Sequence, residues 1–399
     1  MLTFEEGLEK CLRTMPVMST EEVELDDAVG RYNAESITSD INLPPFDRSA
    51  MDGFAVREAD IGFPPVTLKV VATVRAGIPP DIEIGPGQAA HIMTGATVPA
   101  GADTVVMIED TSYDEAQKAV EIRKSVSKGK NICLCGEDVR KESIVFKSGD
   151  CITQQAVPLL ASVGAARLRV FQRPKTAIVT TGSELVSISE KPAAGKIRNS
   201  NLHTLTTQLR NLGIEAENLG AVSDDEGKTR ETIQKGFGHD VLIISGGVSM
   251  GKYDVVADVL TALGAETVFH KVAVKPGKPL LLAVKDGCII FALPGNPVSV
   301  FVSFRMFVRP SLLKMMAARD PRPRFLPARL AATVKMGERM QLLPGTMRVE
   351  GEELAAEPVE FHGSGDMAGL GRCDCLIAVP IGKGEIKAGK MVKIYLIES

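Results

Sequence analysis

Between residues 176 and 316 the chain repeats one arrangement: a short apolar run, a loop rich in Gly, Pro or Lys, and a segment with helical apolar spacing. Residues 176–180 form the first run, followed by Thr181-Gly182-Ser183. Asn201 then opens a helix carrying Leu202, Leu205, Leu209 and Leu212, with Gly213 as its stop. Residues 241–244 lead into Ser245-Gly-Gly-Val-Ser-Met-Gly251, and Val255, Val256, Val259, Leu260 and Leu263 keep helical spacing up to Gly264. A strand over 267–274, the loop Lys275-Pro-Gly-Lys-Pro279, two short strands and a helix over about 298–316 complete the series. This alternation predicts a mostly parallel α/β sheet with helices on both faces. Such sheets bind ligands beyond the carboxyl ends of their strands, so the loops are where chemistry is sought.

Three of these loops suit anions. Gly246 and Gly247, with Ser245 and Ser249 in the same loop, let backbone N–H groups converge ahead of a helix N-terminus, which favours negative charge. The loop is neither a P-loop nor a G-x-G-x-x-G fingerprint, and a plain strand–helix turn is the competing reading. Lys275 and Lys278 sit in a loop stiffened by two prolines, an arrangement suited to an oxyanion. In Pro294-Gly295-Asn296-Pro297-Val298-Ser299, Pro297 suits a first helical turn, leaving N–H groups and the Ser299 hydroxyl to meet phosphate. Glu184, Asp224 and Asp254 fall at the same predicted edge. Capping accounts for Asp224 alone equally well, yet three carboxylates beside three anion loops suggest Mg²⁺ bridging phosphates. Neither a His-x-x-x-His nor a C-x₂-C element supports a transition metal, and the five scattered histidines read as structural.

Outside this region the texture differs. Thr3 and Glu6 form a capping box ahead of Phe4, Leu8, Cys11 and Leu12. Residues 40–126 hold short strand-like runs broken by Gly and Pro, and 157–163 read as helix. Asp320-Pro-Arg-Pro-Arg marks a linker, and the stretch from 325 onward reads as a small β-barrel or sandwich. Composition excludes several classes. A net charge of −4 with 5% aromatics does not fit a general nucleic-acid binder. The acidic N-terminus lacks the basic region of a signal peptide, and no apolar run spans a bilayer. Seven cysteines, an odd number, then fit free thiols in a reducing cytoplasm.

Taken together, the motifs resemble the molybdopterin molybdenumtransferase family, which includes MoeA and the E domain of gephyrin. The resemblance rests on Pro45-Phe-Asp-Arg-Ser-Ala-Met-Asp-Gly-Phe-Ala-Val56, Ile92-Met-Thr-Gly-Ala96, Gly136-Glu-Asp138, Thr181-Gly-Ser-Glu-Leu185 and the three anion loops. It implies an α/β multidomain fold: a central, mostly parallel, molybdopterin-binding-like domain (174–320), a β-rich lobe (41–139), a discontinuous connecting domain (1–40 and 140–173) and a C-terminal β-barrel-like domain (321–399). The implied reaction inserts molybdate into adenylylated molybdopterin and releases AMP, with Mg²⁺ present. The implied assembly is a homodimer with a shared active site, and a molybdopterin adenylyltransferase would be its pathway partner. Asp254, with Glu184 and Asp224 nearby, would serve Mg²⁺, and Lys275 and Lys278 would attract molybdate. Arg348 and Ser364 would complete an oxyanion pocket with Ser299. Asp52, Thr94 and Asp138 match positions that face the partner subunit's active site.

The chain departs from the family pattern at Cys133, where an Arg is frequent, at Lys252, where an acidic residue is usual, and at Ser183. Loss of the guanidinium removes a phosphate clamp, and Lys252 adds positive charge beside Asp254. Rival readings are a molybdopterin adenylyltransferase, a tungstate-inserting homologue and a non-catalytic scaffold. The segment 45–56 and the C-terminal β unit speak against the first.

Overall fold

The computed structural model describes residues 1–223, 225–248 and 255–397. Its centre is a six-stranded sheet ordered Ala216–Val222, Thr176–Thr181, Val241–Ser245, Cys288–Leu293, Leu281–Lys285, Glu266–His270. The first four strands are parallel. The last two add antiparallel, so only Leu281–Lys285 runs against the other five and the mostly parallel sheet expected from the sequence is found. Two successive reversals return Glu266–His270 to the direction of the parallel strands. Its carboxyl end, and the lysine loop after it, therefore reach the same edge as the glycine loops.

Side chains alternate across this sheet, as the period of two requires. Ile178, Ile243 and Phe291 enter one core with Leu205, Leu209, Phe304 and Phe307. Ala177, Val179, Leu242, Ile244 and Ile290 enter the other with Ile233, Val256 and Val259. Both faces are covered, which is why these strands read as continuous apolar runs rather than alternating ones.

Local structure departs from the sequence expectation at several points. The strand over 267–274 breaks after His270, where Lys271 takes φ +82°, and resumes as Val274–Lys275 paired to another sheet. The cap assigned to Asp224 is made by Asp225, whose side chain accepts the Lys228 N–H at 2.8 Å; Asp224 itself lies outside the described residues. The long helix begins at Pro297 and contains a π-type turn, Phe304–Val308, between Pro297–Ser303 and Arg309–Met315. Such turns re-aim one half of a helix relative to the other.

Around this centre lie the other units. Residues Gly53–Val56, Val66–Val74, Gln88–Ile92, Thr104–Met107, Thr111–Asp114 and Ala119–Ile122 form a separate six-stranded sheet with its own apolar core. Thr20–Glu24 pairs antiparallel with Arg167–Phe171, joining two distant stretches of chain beside the helix Val157–Ser162. The N-terminal helix Phe4–Thr14 has the complete capping box of Thr3 and Glu6. Its Phe4 ring packs edge-on against Phe307 and Tyr395, 5.5 and 6.1 Å between centroids. In the C-terminal part, Met340–Glu350, Glu353–Pro358, Phe325–Leu330, Met391–Leu396 and Cys375–Val379 close into a five-stranded barrel. Closure removes sheet edges that would otherwise invite pairing with other chains. No helix among the described residues is long and apolar enough to cross a membrane. All seven cysteines are free.

Candidate functional site

The carboxyl edge of the central sheet faces the barrel across a cleft of about 830 Å³. Sheet-side walls come from Thr181, Gly182, Glu184, Gly246, Gly247, the 275–279 loop, Pro294, Gly295, Asn296 and Ser299. Backbone conformation explains the glycines. Gly246 has φ +99°, and a Cβ there would lie 2.6 Å from the Thr181 carbonyl oxygen. Only glycine lets these two loops approach so closely. Gly182 plays a related part: a Cβ on it would meet the Glu184 carboxylate at 2.6 Å, so the acid folds back over the glycine.

Polar contacts hold the loops in register. The Asn201 side-chain amide donates to Ser245 Oγ at 3.0 Å and to the Gly295 carbonyl at 2.6 Å, and Ser245 donates weakly to the Pro294 carbonyl at 3.4 Å. Ser245 is buried and stands behind the cleft rather than on its wall. Pro297 occupies the start of its helix behind Asn296, the N-cap residue. Thr181 Oγ1 and Asn201 Oδ1 are buried with no hydrogen-bond partner among the described residues. Unpaired buried polar atoms carry a desolvation cost of about 1–3 kcal/mol each, which a polar ligand would offset.

The barrel contributes Arg339, Gln341, Leu343 and the loop Phe361-His362-Gly363-Ser364. Asn296 donates to Ser364 Oγ at 2.6 Å, and Val298 N–H to the Ser364 carbonyl at 3.2 Å, which seats that loop on the first turn of the helix. His362 Nδ1 lies 3.3 Å from Asp366 Oδ2. Backbone N–H donors of His362 and Gly369 hold the Asp366 carboxyl down to about 2. Lys275, Lys278 and Arg339 face the single carboxylate Glu184 among the described cleft residues, so the cleft is electropositive.

Of the residues singled out in the sequence, Glu184, Gly246, Gly247, Lys275, Lys278, Pro294, Gly295, Asn296, Ser299 and Ser364 line this one cleft. Ser249, Asp254, Lys252 and Asp224 lie outside the described residues. Arg348 does not line the cleft of its own chain; it pairs with Glu350 at 2.7 Å and with Glu357 in a shorter contact. Asp52, Thr94 and Asp138 are exposed on or beside the β-rich lobe and do not line the cleft of their own chain. Thr94 donates to Asp52 from its N–H at 2.7 Å and its hydroxyl at 3.0 Å, which lowers the Asp52 pKa. The sequence reading missed Asn201, Arg339, Gln341 and His362. The first was expected to open its helix, but the helix starts at Ser200 with Asn199 as its N-cap, whose side chain accepts the Leu202 N–H at 3.2 Å; the others needed the barrel to be placed.

Comparison with known proteins covers almost the whole chain. Residues 2–164 match the model of the MoeA N-terminal region (domain I and II), 177–314 that of a probable molybdopterin binding domain, and 327–397 that of the MoeA C-terminal region (domain IV). A molybdopterin molybdenumtransferase of Staphylococcus aureus (strain Mu50 / ATCC 700699) is 33% identical over 401 residues, covering 99% of this chain and 95% of that protein. A Staphylococcus epidermidis relative of the same description is 31% identical over 404 residues, covering 100% of this chain and 96% of its own. A solved molybdopterin biosynthesis MoeA protein from Pyrococcus horikoshii superposes with a TM-score of 0.80 at 32% identity, covering 100% of this chain and 99% of that one.

Proposed function

The chain belongs to the MoeA family of molybdopterin molybdenumtransferases, and from that premise we propose that it inserts molybdate into adenylylated molybdopterin and releases AMP. The observation that carries the reading is the convergence of Lys275, Lys278, Asn296, Ser299 and Ser364 on one cleft with the Gly246-Gly247 turn. Molybdate is a dianion that must approach a substrate already carrying phosphates. Coulomb repulsion between them is a main obstacle. The two lysines offset it at long range. The hydroxyls of Ser299 and Ser364 supply short, directed donors. Catalysis on this account is positioning and charge stabilisation, with no covalent protein intermediate.

Among the described residues no group of three or more His, Cys, Asp or Glu side chains could hold a metal ion, so a Mg²⁺ site here would need Asp254 as well as Glu184. Glu184 offers a hard oxygen donor beside the glycine turn, and Asp254 would be its companion. When bound, the ion would neutralise phosphoanhydride oxygens. Asp52, Thr94 and Asp138 are assigned to the cleft of a second copy in a homodimer, which explains why they sit away from their own. An adenylyltransferase would supply the substrate, and the reaction would belong to the cytoplasm.

The test is direct. Purified protein is given adenylylated molybdopterin, Mg²⁺ and either molybdate or tungstate, and AMP release is followed. Release that depends on an oxyanion supports the transfer, and a preference decides between molybdate and tungstate. Absence of release with both would favour a scaffold. Lys278→Ala should lower oxyanion-dependent release at least tenfold; an unchanged rate would remove Lys278 from the mechanism.

A further inference from the structure

We propose that Arg339, and not Arg348, is the guanidinium that binds the tetrahedral oxyanion in this cleft, a refinement that rests on the transferase reading above. The two arginines lie nine positions apart, one just before the strand Met340–Glu350 and the other near its far end. At about 3.3 Å per extended residue they cannot serve one small anion. Their environments decide which does. Arg348 is held by two carboxylates, Glu350 and Glu357, on the part of the strand that pairs with Glu353–Pro358. Arg339 has no carboxylate partner among the described residues. Among the described residues its one hydrogen bond runs from Nη1 to the Val274 carbonyl at 3.3 Å, which leaves four of its five N–H donors without a partner there.

Strand periodicity gives the direction. Arg339, Gln341 and Leu343 line the cleft at alternate positions, as residues on one face of a strand do. Arg348 is out of phase with that series. Placement beside the lysines is equally specific, because Val274–Lys275 pairs in parallel with Met340 and Gln341, and Met340 N–H bonds to the Ala273 carbonyl at 3.0 Å. The backbone thus sets Arg339 next to the loop that carries Lys275 and Lys278. A planar guanidinium adds what two ammonium groups lack: a forked set of donors that can grip two oxygens of a tetrahedral oxyanion.

Arg339→Ala, Arg339→Lys and Arg348→Ala are compared with the unaltered protein in two measurements: equilibrium dialysis against molybdate, and AMP release as molybdate is varied. Loss of a charge-assisted contact should weaken molybdate binding about ten- to a hundredfold in Arg339→Ala. Arg339→Lys should fall between, since it keeps the charge and loses the fork, and Arg348→Ala should bind as the unaltered protein does. The effect should appear as a raised KM for molybdate, with the KM for the nucleotide substrate unchanged. A merely structural role would lower thermal stability and move both constants together. Unchanged molybdate binding in Arg339→Ala, or a larger loss in Arg348→Ala, overturns the assignment. If the unaltered protein binds molybdate yet releases no AMP, the transferase reading fails, while dialysis still decides between the two arginines.

Discussion

The side-chain amide of Asn296 donates to the hydroxyl of Ser364 at 2.6 Å, across the boundary between the α/β unit and the barrel. Asn296 holds the N-cap position of the helix that begins at Pro297, and Ser364 lies in the barrel loop that lines the same cleft. Together with the Val298 N–H bond to the Ser364 carbonyl at 3.2 Å, the Asn296–Ser364 bond fixes the distance between two walls of the site.

That bond predicts coupling. Asn296→Ala and Ser364→Ala should each slow AMP release, and the double variant should lose less than the two losses combined, with a coupling of about 0.5–3 kcal/mol. A cycle of the four proteins under saturating substrate measures it. Strict additivity would show that the bond does not organise the cleft.

The glycine turn predicts a contrast between neighbours. Gly246→Ala must place a Cβ 2.6 Å from the Thr181 carbonyl at φ +99°, whereas a Cβ on Gly295 would meet Gly246 Cα at an ordinary 3.7 Å. The first change should cost about 1–3 kcal/mol or more and lower the melting temperature, and the second should leave it nearly unchanged. Differential scanning calorimetry separates them, and equal melting temperatures would count against the described turn.

Phe291 tests the core. Its side chain is fully buried in the central sheet, in the core shared with Phe304 and Phe307. Phe291→Ala should destabilise by about 3–5 kcal/mol through lost transfer energy and the cavity left behind. Urea unfolding monitored on the α/β unit gives the value; a loss below about 1 kcal/mol would contradict the packing.

Acid should release the barrel loop. The Asp366 carboxyl is held down to about 2 from an ordinary 3.8, chiefly by the N–H donors of His362 and Gly369. A depressed pKa gives stability that is complete above the unfolded value and lost as pH falls through the folded one. The stability gap between the unaltered protein and Asp366→Ala should stay level from neutrality to about pH 4 and narrow below it. A gap that narrows at higher pH would assign the hold on this loop to another group.

Much of this was legible in the sequence, and for a physical reason. Strands buried on both faces leave continuous apolar runs such as 241–244, and loops that need positive φ leave glycines, so the central unit and its anion loops could be read in order. The reading failed where the determinant was long-range. Nothing local to residues 267–274 says that the strand will break at Lys271 and give its last two residues to another sheet. Arg348 and Arg339 look alike in sequence, and they separate once Glu350 and Glu357 are seen against the first and the cleft beside the second. His362 read as one scattered histidine until the barrel loop was seated against Asn296.

The pairing of Val274–Lys275 with Met340–Gln341 carries a consequence for how such a site changes over time. The seam between the two units there is stitched by main-chain groups, which every amino acid except proline supplies in full. Lineages can therefore exchange the side chains at Lys275 or Gln341, and with them the affinity for one oxyanion or another, without unfastening the seam. Chemistry at that edge is free to drift while the architecture stays put.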